Sequence, residues 1–152
     1  MFRTFMDDAL EEAAKALKRG EVPVGAVIVG ASSGDIIARA GNETRERLDP
    51  SAHAEVLAIR KACETLKTDR LVNCDIYVTL EPCAMCAGLI ANARIRRIYF
   101  AASDPKSGGI QQGARVFDHE QTHHIPEIYP GIGEEKAVKL LNCRGITRCD
   151  FR

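Results

Sequence analysis

Apolar residues recur at helical spacing near the start of the chain. Phe5, Met6, Ala9, Leu10, Ala13, Ala14 and Leu17 share one stripe, and the spacing predicts a helix over 5–19 that Gly20 can end. The period then changes. Pro23 to Gly30 (PVGAVIVG) is a valine-rich apolar run of strand length, and after a turn at Ser32, Ser33 and Gly34 the stretch Asp35 to Ala40 returns as its hairpin partner. A polar loop runs from Gly41 to Pro50. Ser51 is placed to cap the next helix, on which Ala52, Val56, Ile59, Cys63 and Leu66 mark a second apolar stripe. Asp75 to Leu80 (DIYVTL) reads as a strand, and Pro82 suits the first turn of a helix that continues from Cys83 to Arg94. Arg97 to Ala102 is the next strand, Asp104 to Gly113 a loop, Ile125 to Tyr129 a weaker strand and Glu134 to Leu141 a final helix.

The order α-β-β-α-β-α-β-loop-β-α opens with a hairpin and then alternates. It predicts an α/β fold, a three-layer α/β/α sandwich around a central mixed five-stranded sheet. Ligands in such sheets tend to sit where strands end and helices begin. The chain of 152 residues suits a single domain over 1–152, with no repeat, low-complexity tract or long linker.

Composition narrows the setting. Apolar residues make up 45% and charged residues 28%, which is ordinary for a globular protein. No apolar stretch approaches the ~18 residues of a membrane span. The first residues are acidic and amphipathic and lack the apolar core of a signal peptide, so a cytoplasmic protein is expected. The 21 basic and 21 acidic residues cancel, whereas nucleic-acid binders usually carry a basic excess. A local patch remains open: Arg94, Arg96 and Arg97 are either a phosphate-binding cluster or a solvated helix end. Of the six cysteines, Cys63, Cys74, Cys143 and Cys149 are scattered and read as small hydrophobes, while Cys83 and Cys86 form a C-x-x-C pair.

The chemistry concentrates in two motifs, His53-Ala54-Glu55 and Pro82-Cys83-Ala84-Met85-Cys86, each at a predicted helix start. Cys83 and Cys86 are three residues apart and can face the same way from one helical turn. The positive end of a helix favours thiolates. Zinc takes thiolate sulfur and imidazole nitrogen, and His53, Cys83 and Cys86 make three protein ligands, leaving the fourth tetrahedral position to water as in catalytic zinc sites. Zinc lowers the pKa of such a water toward ~7, and Glu55, two residues from His53, can take its proton and deliver it elsewhere. Two other readings stand beside this one. A structural zinc module needs a fourth ligand, for which His119, His123 or His124 can be nominated; a redox C-x-x-C would leave His53 and Glu55 without a purpose. The combination H-x-E…P-C-x-x-C is a recognised signature of zinc nucleobase deaminases.

Residues 5–141 resemble the bacterial tRNA-specific adenosine deaminases of the cytidine deaminase-like superfamily. The matching segments are PVGAVIV (23–29), GNETRERLDPSAHAEVLAIRKA (41–62), DIYVTLEPCAMCAGLIANARI (75–95), DPKSGG (104–109) and HHIPEIYPGIGEEKA (123–137). The resemblance implies a homodimeric enzyme that converts adenosine to inosine at the wobble position of a tRNA anticodon loop. It implies one zinc ion per subunit held by His53, Cys83 and Cys86, with Glu55 as the catalytic proton shuttle. It also implies that Asn42 hydrogen-bonds the purine and that Asp104 and Lys106 line the anticodon groove. From the residues alone, Asn42 also reads as a turn residue after Gly41, and Asp104 and Lys106 are equally an ordinary loop. A deaminase of the same fold acting on free guanine or cytosine is the near alternative. The ending LLNCRGITRCDFR (140–152) lacks the aromatic pair and basic residues that close the family's last helix.

Overall fold

The computed structural model describes residues 4–143; the atypical ending from Arg144 onward lies outside the described residues. Helix α1 spans Phe5–Lys18. It starts cleanly because the Asp7 carboxylate reaches back to accept the Thr4 N–H at 2.9 Å. Strands β1 (Gly25–Gly30) and β2 (Ile36–Gly41) form the expected hairpin. Helix α2 (Ala54–Leu66), strand β3 (Cys74–Leu80), helix α3 (Ala84–Asn92) and strand β4 (Arg97–Ala102) follow. Strand β5 (Glu127–Pro130) and helix α4 (Glu134–Asn142) close the described chain.

The sheet has five strands in the order β2-β1-β3-β4-β5. β1 is antiparallel to both β2 and β3, whereas β3–β4 and β4–β5 are parallel, so the sheet is mixed as expected. α1 and α4 pack together against it, and α2 and α3 form the other pair. The inner strands are mostly apolar, and Val27, Ile28, Ile76, Val78, Ile98 and Phe100 are fully buried. A rung of aromatics locks the register: Tyr77, Tyr99 and Tyr129 are paired across β3, β4 and β5, with ring centroids 4.3 and 4.9 Å apart.

Two helix starts differ from expectation. Ser51 does not cap α2; its N–H and hydroxyl both donate to Asp49 Oδ1, at 2.8 and 2.7 Å, in a local turn, and His53 takes the N-cap position. Pro82 stands before the N-cap of α3, which is Cys83. α3 also ends earlier than predicted, because Arg94 adopts a left-handed conformation (φ 59°) that turns the chain into β4. A short 3-10 turn at Val116–Asp118, which carries the buried Phe117, has no periodic signal in the sequence.

Gly25 lets α1 lie directly on β1, since a Cβ there would run into the Ala9 carbonyl oxygen and the Ala13 nitrogen. Gly25→Ala is expected to push α1 off the sheet and lower the unfolding free energy by about 1–3 kcal/mol, the usual range for overpacking. Urea titration checks this; an unchanged midpoint would show that α1 is not held against β1.

Candidate active site

Strand direction gathers every site segment at one edge of the sheet. β3 and β4 are parallel and finish side by side, with Leu80 opposite Ala102. β1 runs the other way, so its first residue, Gly25, lies at that same edge and donates its N–H to Thr79 Oγ1 at 3.1 Å. Gly41, the last residue of β2, pairs with Gly25. The chain segments after β2, β3 and β4 therefore leave together. They carry Asn42 and His53, Cys83 and Cys86, and Asp104 and Lys106.

His53 and Cys83 occupy equivalent places, each the N-cap of its helix. Ser, Thr, Asp and Asn dominate such positions because their oxygens bond the helix's first N–H groups. Neither His53 nor Cys83 makes that bond. Their side chains meet each other instead. His53 Nδ1 lies 3.6 Å from Cys83 Sγ and 3.4 Å from Cys86 Sγ. Zinc bound tetrahedrally at about 2.3 Å from sulfur and 2.0–2.1 Å from nitrogen gives an N···S edge of about 3.6 Å. The donor set thus has the spacing zinc needs, through Nδ1 of the imidazole. Two helix N-termini point at the cluster, and each contributes partial positive charge that stabilises thiolates.

His53, Cys83 and Cys86 are the single group of metal-ligating side chains among the described residues, their donor atoms all within 4.8 Å of one another. His119 and His124 are engaged elsewhere, with Nε2 on the Ala114 carbonyl at 2.8 Å and on the Ile95 carbonyl at 2.6 Å. Glu55 sits in the first turn of α2, fully buried, and is not one of the three clustered groups. Asn42 is also fully buried. Asp104 is buried with Oδ1 accepting the Lys106 and Ser107 N–H groups at 3.1 and 3.0 Å, so its carboxylate shapes its own loop. That turn leaves Lys106 exposed at the loop surface.

Two of the three arginines fall elsewhere. Arg96 makes a two-pronged pair with Asp75 at 2.9 and 2.7 Å, and Arg97 pairs with Glu127 at 2.6 Å. Both lie at the start of β4, and six residues of strand, about 17 Å, separate that end from the cluster. Their charge is taken up by neighbours at the opposite edge, and they do not form a patch beside the site.

Two buried glutamates escaped sequence reasoning, which treats a loop-flanking glutamate as solvated. Glu81, between β3 and Pro82, is 1% exposed. Its Oε1 accepts from Ser103 Oγ at 3.3 Å and the Asp104 N–H at 3.2 Å. Its Oε2 accepts from the Ile110, Gln111 and Gln112 N–H groups at 3.1, 3.0 and 3.1 Å. One carboxylate thus spools the whole 104–112 loop around itself. Gly108 is required there, because a Cβ would stand 2.5 Å from Glu81 Oε2. Gly109 lies against the first turn of α3 and donates to the Pro82 carbonyl at 2.8 Å, which ties the loop to the cysteine helix. Glu21, also 1% exposed, does the same for the loop after β2, accepting the Arg45 N–H at 3.3 Å and the Glu46 N–H at 2.8 Å. The one available signal was Gly108-Gly109, a pair that implies close backbone approach.

Glu81→Gln turns one acceptor oxygen into a donor facing N–H groups. It is expected to destabilise the fold by about 1–3 kcal/mol and to speed amide exchange at Ile110, Gln111 and Gln112. Hydrogen exchange reads this directly; unaltered protection at those amides would mean that something else holds the loop.

Known proteins share this arrangement. Residues 2–102 match the family model described as the cytidine and deoxycytidylate deaminase zinc-binding region. The chain is 51% identical to the tRNA-specific adenosine deaminase of Agrobacterium fabrum over 137 residues, covering 90% of this chain and 89% of that one. The corresponding enzyme of Aquifex aeolicus is 44% identical over 140 residues, 91% of this chain and 89% of its own. A structure from work on A-to-I editing by tRNA:A34 deaminases at the wobble position of transfer RNA superposes with a TM-score of 0.87 at 51% identity, covering 90% of this chain and 98% of that one. Guanine deaminase from Bacillus subtilis superposes less well, with a TM-score of 0.65 at 30% identity over 100% of this chain and 98% of its own. With the matched region reaching from α1 to the end of β4 and enclosing all three clustered side chains, the chain belongs to the cytidine and deoxycytidylate deaminase family and is a hydrolytic deaminase.

Proposed function

We propose that the protein deaminates adenosine to inosine at the wobble position of a tRNA anticodon loop, with one zinc ion per chain held by His53, Cys83 and Cys86. The observation that carries the chemistry is the Nδ1–Sγ spacing of 3.6 and 3.4 Å between these residues on two facing helix starts. The substrate is supported by the 51% identity to the Agrobacterium fabrum tRNA-specific adenosine deaminase, sustained over 90% of the chain. We also propose a homodimer, as the family resemblance implies, and a cytoplasmic setting.

When bound, zinc supplies a Lewis acid that makes water nucleophilic near neutral pH. The chain's own residues move the protons. Glu55, buried in the first turn of α2, takes a proton from the attacking water on a carboxylate oxygen. It returns a proton to the ring nitrogen beside C6, and carries a second from the added hydroxyl to the departing amine. Adenosine and water become inosine and ammonia, and Glu55 ends in the state in which it began. Burial suits this role, because a carboxylate shielded from bulk water exchanges protons only with the group it faces. Asn42 contacts the purine, and Lys106, exposed on the loop that Glu81 holds, meets a backbone phosphate. An anticodon loop suits such a site, since its unpaired bases can be splayed outward at little cost. The net charge of zero is compatible with this, because a few local contacts suffice for a short single-stranded segment.

Glu55→Ala should keep zinc and fold and lose roughly 10²–10⁴ in turnover, the range for a positioned acid–base group. Metal analysis beside single-turnover kinetics tests this. Loss of zinc would make Glu55 a ligand, and a rate above about a tenth of wild type would remove it from the chemistry.

The substrate test is incubation with an anticodon stem-loop carrying adenosine at the wobble position, alongside free guanine, cytosine and adenine. Inosine is expected in the stem-loop and no comparable turnover of the bases. Lys106→Ala should weaken stem-loop binding and lower its salt dependence by about one phosphate contact. Ready turnover of guanine with an untouched stem-loop would move the assignment to the free-base activity carried by the Bacillus subtilis relative.

A further inference from the structure

Asn42 stands beside the cluster in an unusual hydrogen-bonding state. The chain continues its pairing past β2: the Asn42 N–H donates to the Val24 carbonyl and the Glu43 N–H to the Ala52 carbonyl, both at 3.0 Å. That second bond ties the residue after Asn42 to the residue before His53. The Asn42 side chain is fully buried. Its Nδ2 carries two protons, and both are used, one on Glu21 Oε2 and one on Thr44 Oγ1, each at 3.1 Å. Its Oδ1 is buried and accepts nothing from the protein among the described residues. Buried amide oxygens are almost always bonded, so an unused one beside a reaction centre points to a bonding partner that arrives with the ligand.

Glu21 decides which end of the amide is left over. An ionised carboxylate only accepts. Turning the Asn42 amide over would set Oδ1 against Glu21 Oε2 at the present 3.1 Å, oxygen facing oxygen. Glu21 is itself immobilised, since it is buried and both its oxygens are held by the Arg45 and Glu46 N–H groups. Thr44 cannot make this choice, because a hydroxyl both donates and accepts.

We propose that Glu21 is a positioning residue for substrate selection: it orients the Asn42 amide so that Oδ1, an acceptor, faces the bound nucleoside. This rests on the adenosine reading above. The pocket then demands a hydrogen-bond donor at that point. In a loop nucleotide, adenosine has two, the exocyclic 6-amine and the ribose 2′-hydroxyl, because the 3′ and 5′ oxygens are esterified and the ring nitrogens only accept. The shared chemistry is an N–H or O–H donor on the target nucleoside.

The test crosses enzyme variants with altered substrates, as in a double-mutant cycle. The zinc-loaded enzyme is given stem-loops with adenosine, 2′-deoxyadenosine or 6-chloropurine riboside at the wobble position; the last lacks the amine but still yields inosine on hydrolysis. Glu21→Gln can donate to Asn42 and so permits the amide to turn over. It is expected to lower kcat/KM for adenosine tenfold or more. For the substrate that lacks the recognised donor, the same change should be under threefold, and that substrate identifies the donor. The double variant Glu21→Gln/Asn42→Asp restores an outward acceptor whichever way residue 42 turns, with the amide introduced at position 21 donating to the inward oxygen. It should recover the wild-type ratio between substrates.

An equal loss on all three substrates would overturn the inference and leave Glu21 a structural residue. A double variant that does not recover the ratio would overturn it too, and that variant decides the matter if Glu21→Gln alone fails to hold zinc. A wild-type enzyme that ignores the adenosine stem-loop overturns the substrate reading and this inference with it. An active wild type with uniform losses overturns the inference alone.

Discussion

Leu80 and Ala102 lie opposite one another at the ends of β3 and β4, and the site depends on that register. Shifting one strand by a residue would invert its faces and carry Glu81 and Pro82 away from the loop after β4. Glu81 ties the two strand ends together, through Ser103 and Asp104, once the register is in place. The register is set at mid-strand, by Tyr77, Tyr99 and Tyr129 stacked on one face of the sheet and by Ile76, Val78, Ile98 and Phe100 buried within it. The precision of the metal cluster is therefore inherited from packing two or more residues away.

The two loops that frame the cluster are built on a common plan. Glu21 and Glu81 are each nearly inaccessible, and each is surrounded by backbone N–H groups of a neighbouring loop. Burying a bare carboxylate is costly, and several short N–H···O bonds offset that cost without a cation. A cation would bring a long flexible side chain into the site; backbone donors bring none. The result is a pair of loops with defined shape and little core of their own. One presents Asn42 beside His53, and the other rests on the start of α3.

Charge is likewise placed locally. Arg96 and Arg97 are tied to Asp75 and Glu127 at the far edge of the sheet, where they close the start of β4. What faces outward near the cluster is Lys106, on a loop fixed by the buried Asp104 and Glu81. The zero net charge is thus an average over locally paired and locally exposed groups.

Periodicity and motif together were enough for the element order, the mixed sheet between helices and the His-Cys-Cys donor set, because each rests on local spacing or on residue types with narrow chemistry. Helix starts were less legible. Ser51 is a better cap than His53 by intrinsic preference, but its hydroxyl is taken by Asp49 in a local turn, and His53 at the N-cap meets two thiols instead. The Arg94–Arg97 stretch looked adjacent to the site because it follows the zinc helix in sequence, but a strand's length separates its ends in space. Glu21, Glu81 and the unused acceptor of Asn42 were invisible for a further reason. The loop partners of Glu21 and Glu81 are mostly main-chain N–H groups far along the chain, identical at every non-proline residue, and the Asn42 oxygen has no protein partner among the described residues, so no side-chain pattern marks them. The sequence by itself supplied the His53, Cys83 and Cys86 donor set and the Glu55 carboxylate two residues from His53; the fold alone decided how the loops are held around them, through backbone hydrogen bonds that carry no residue identity.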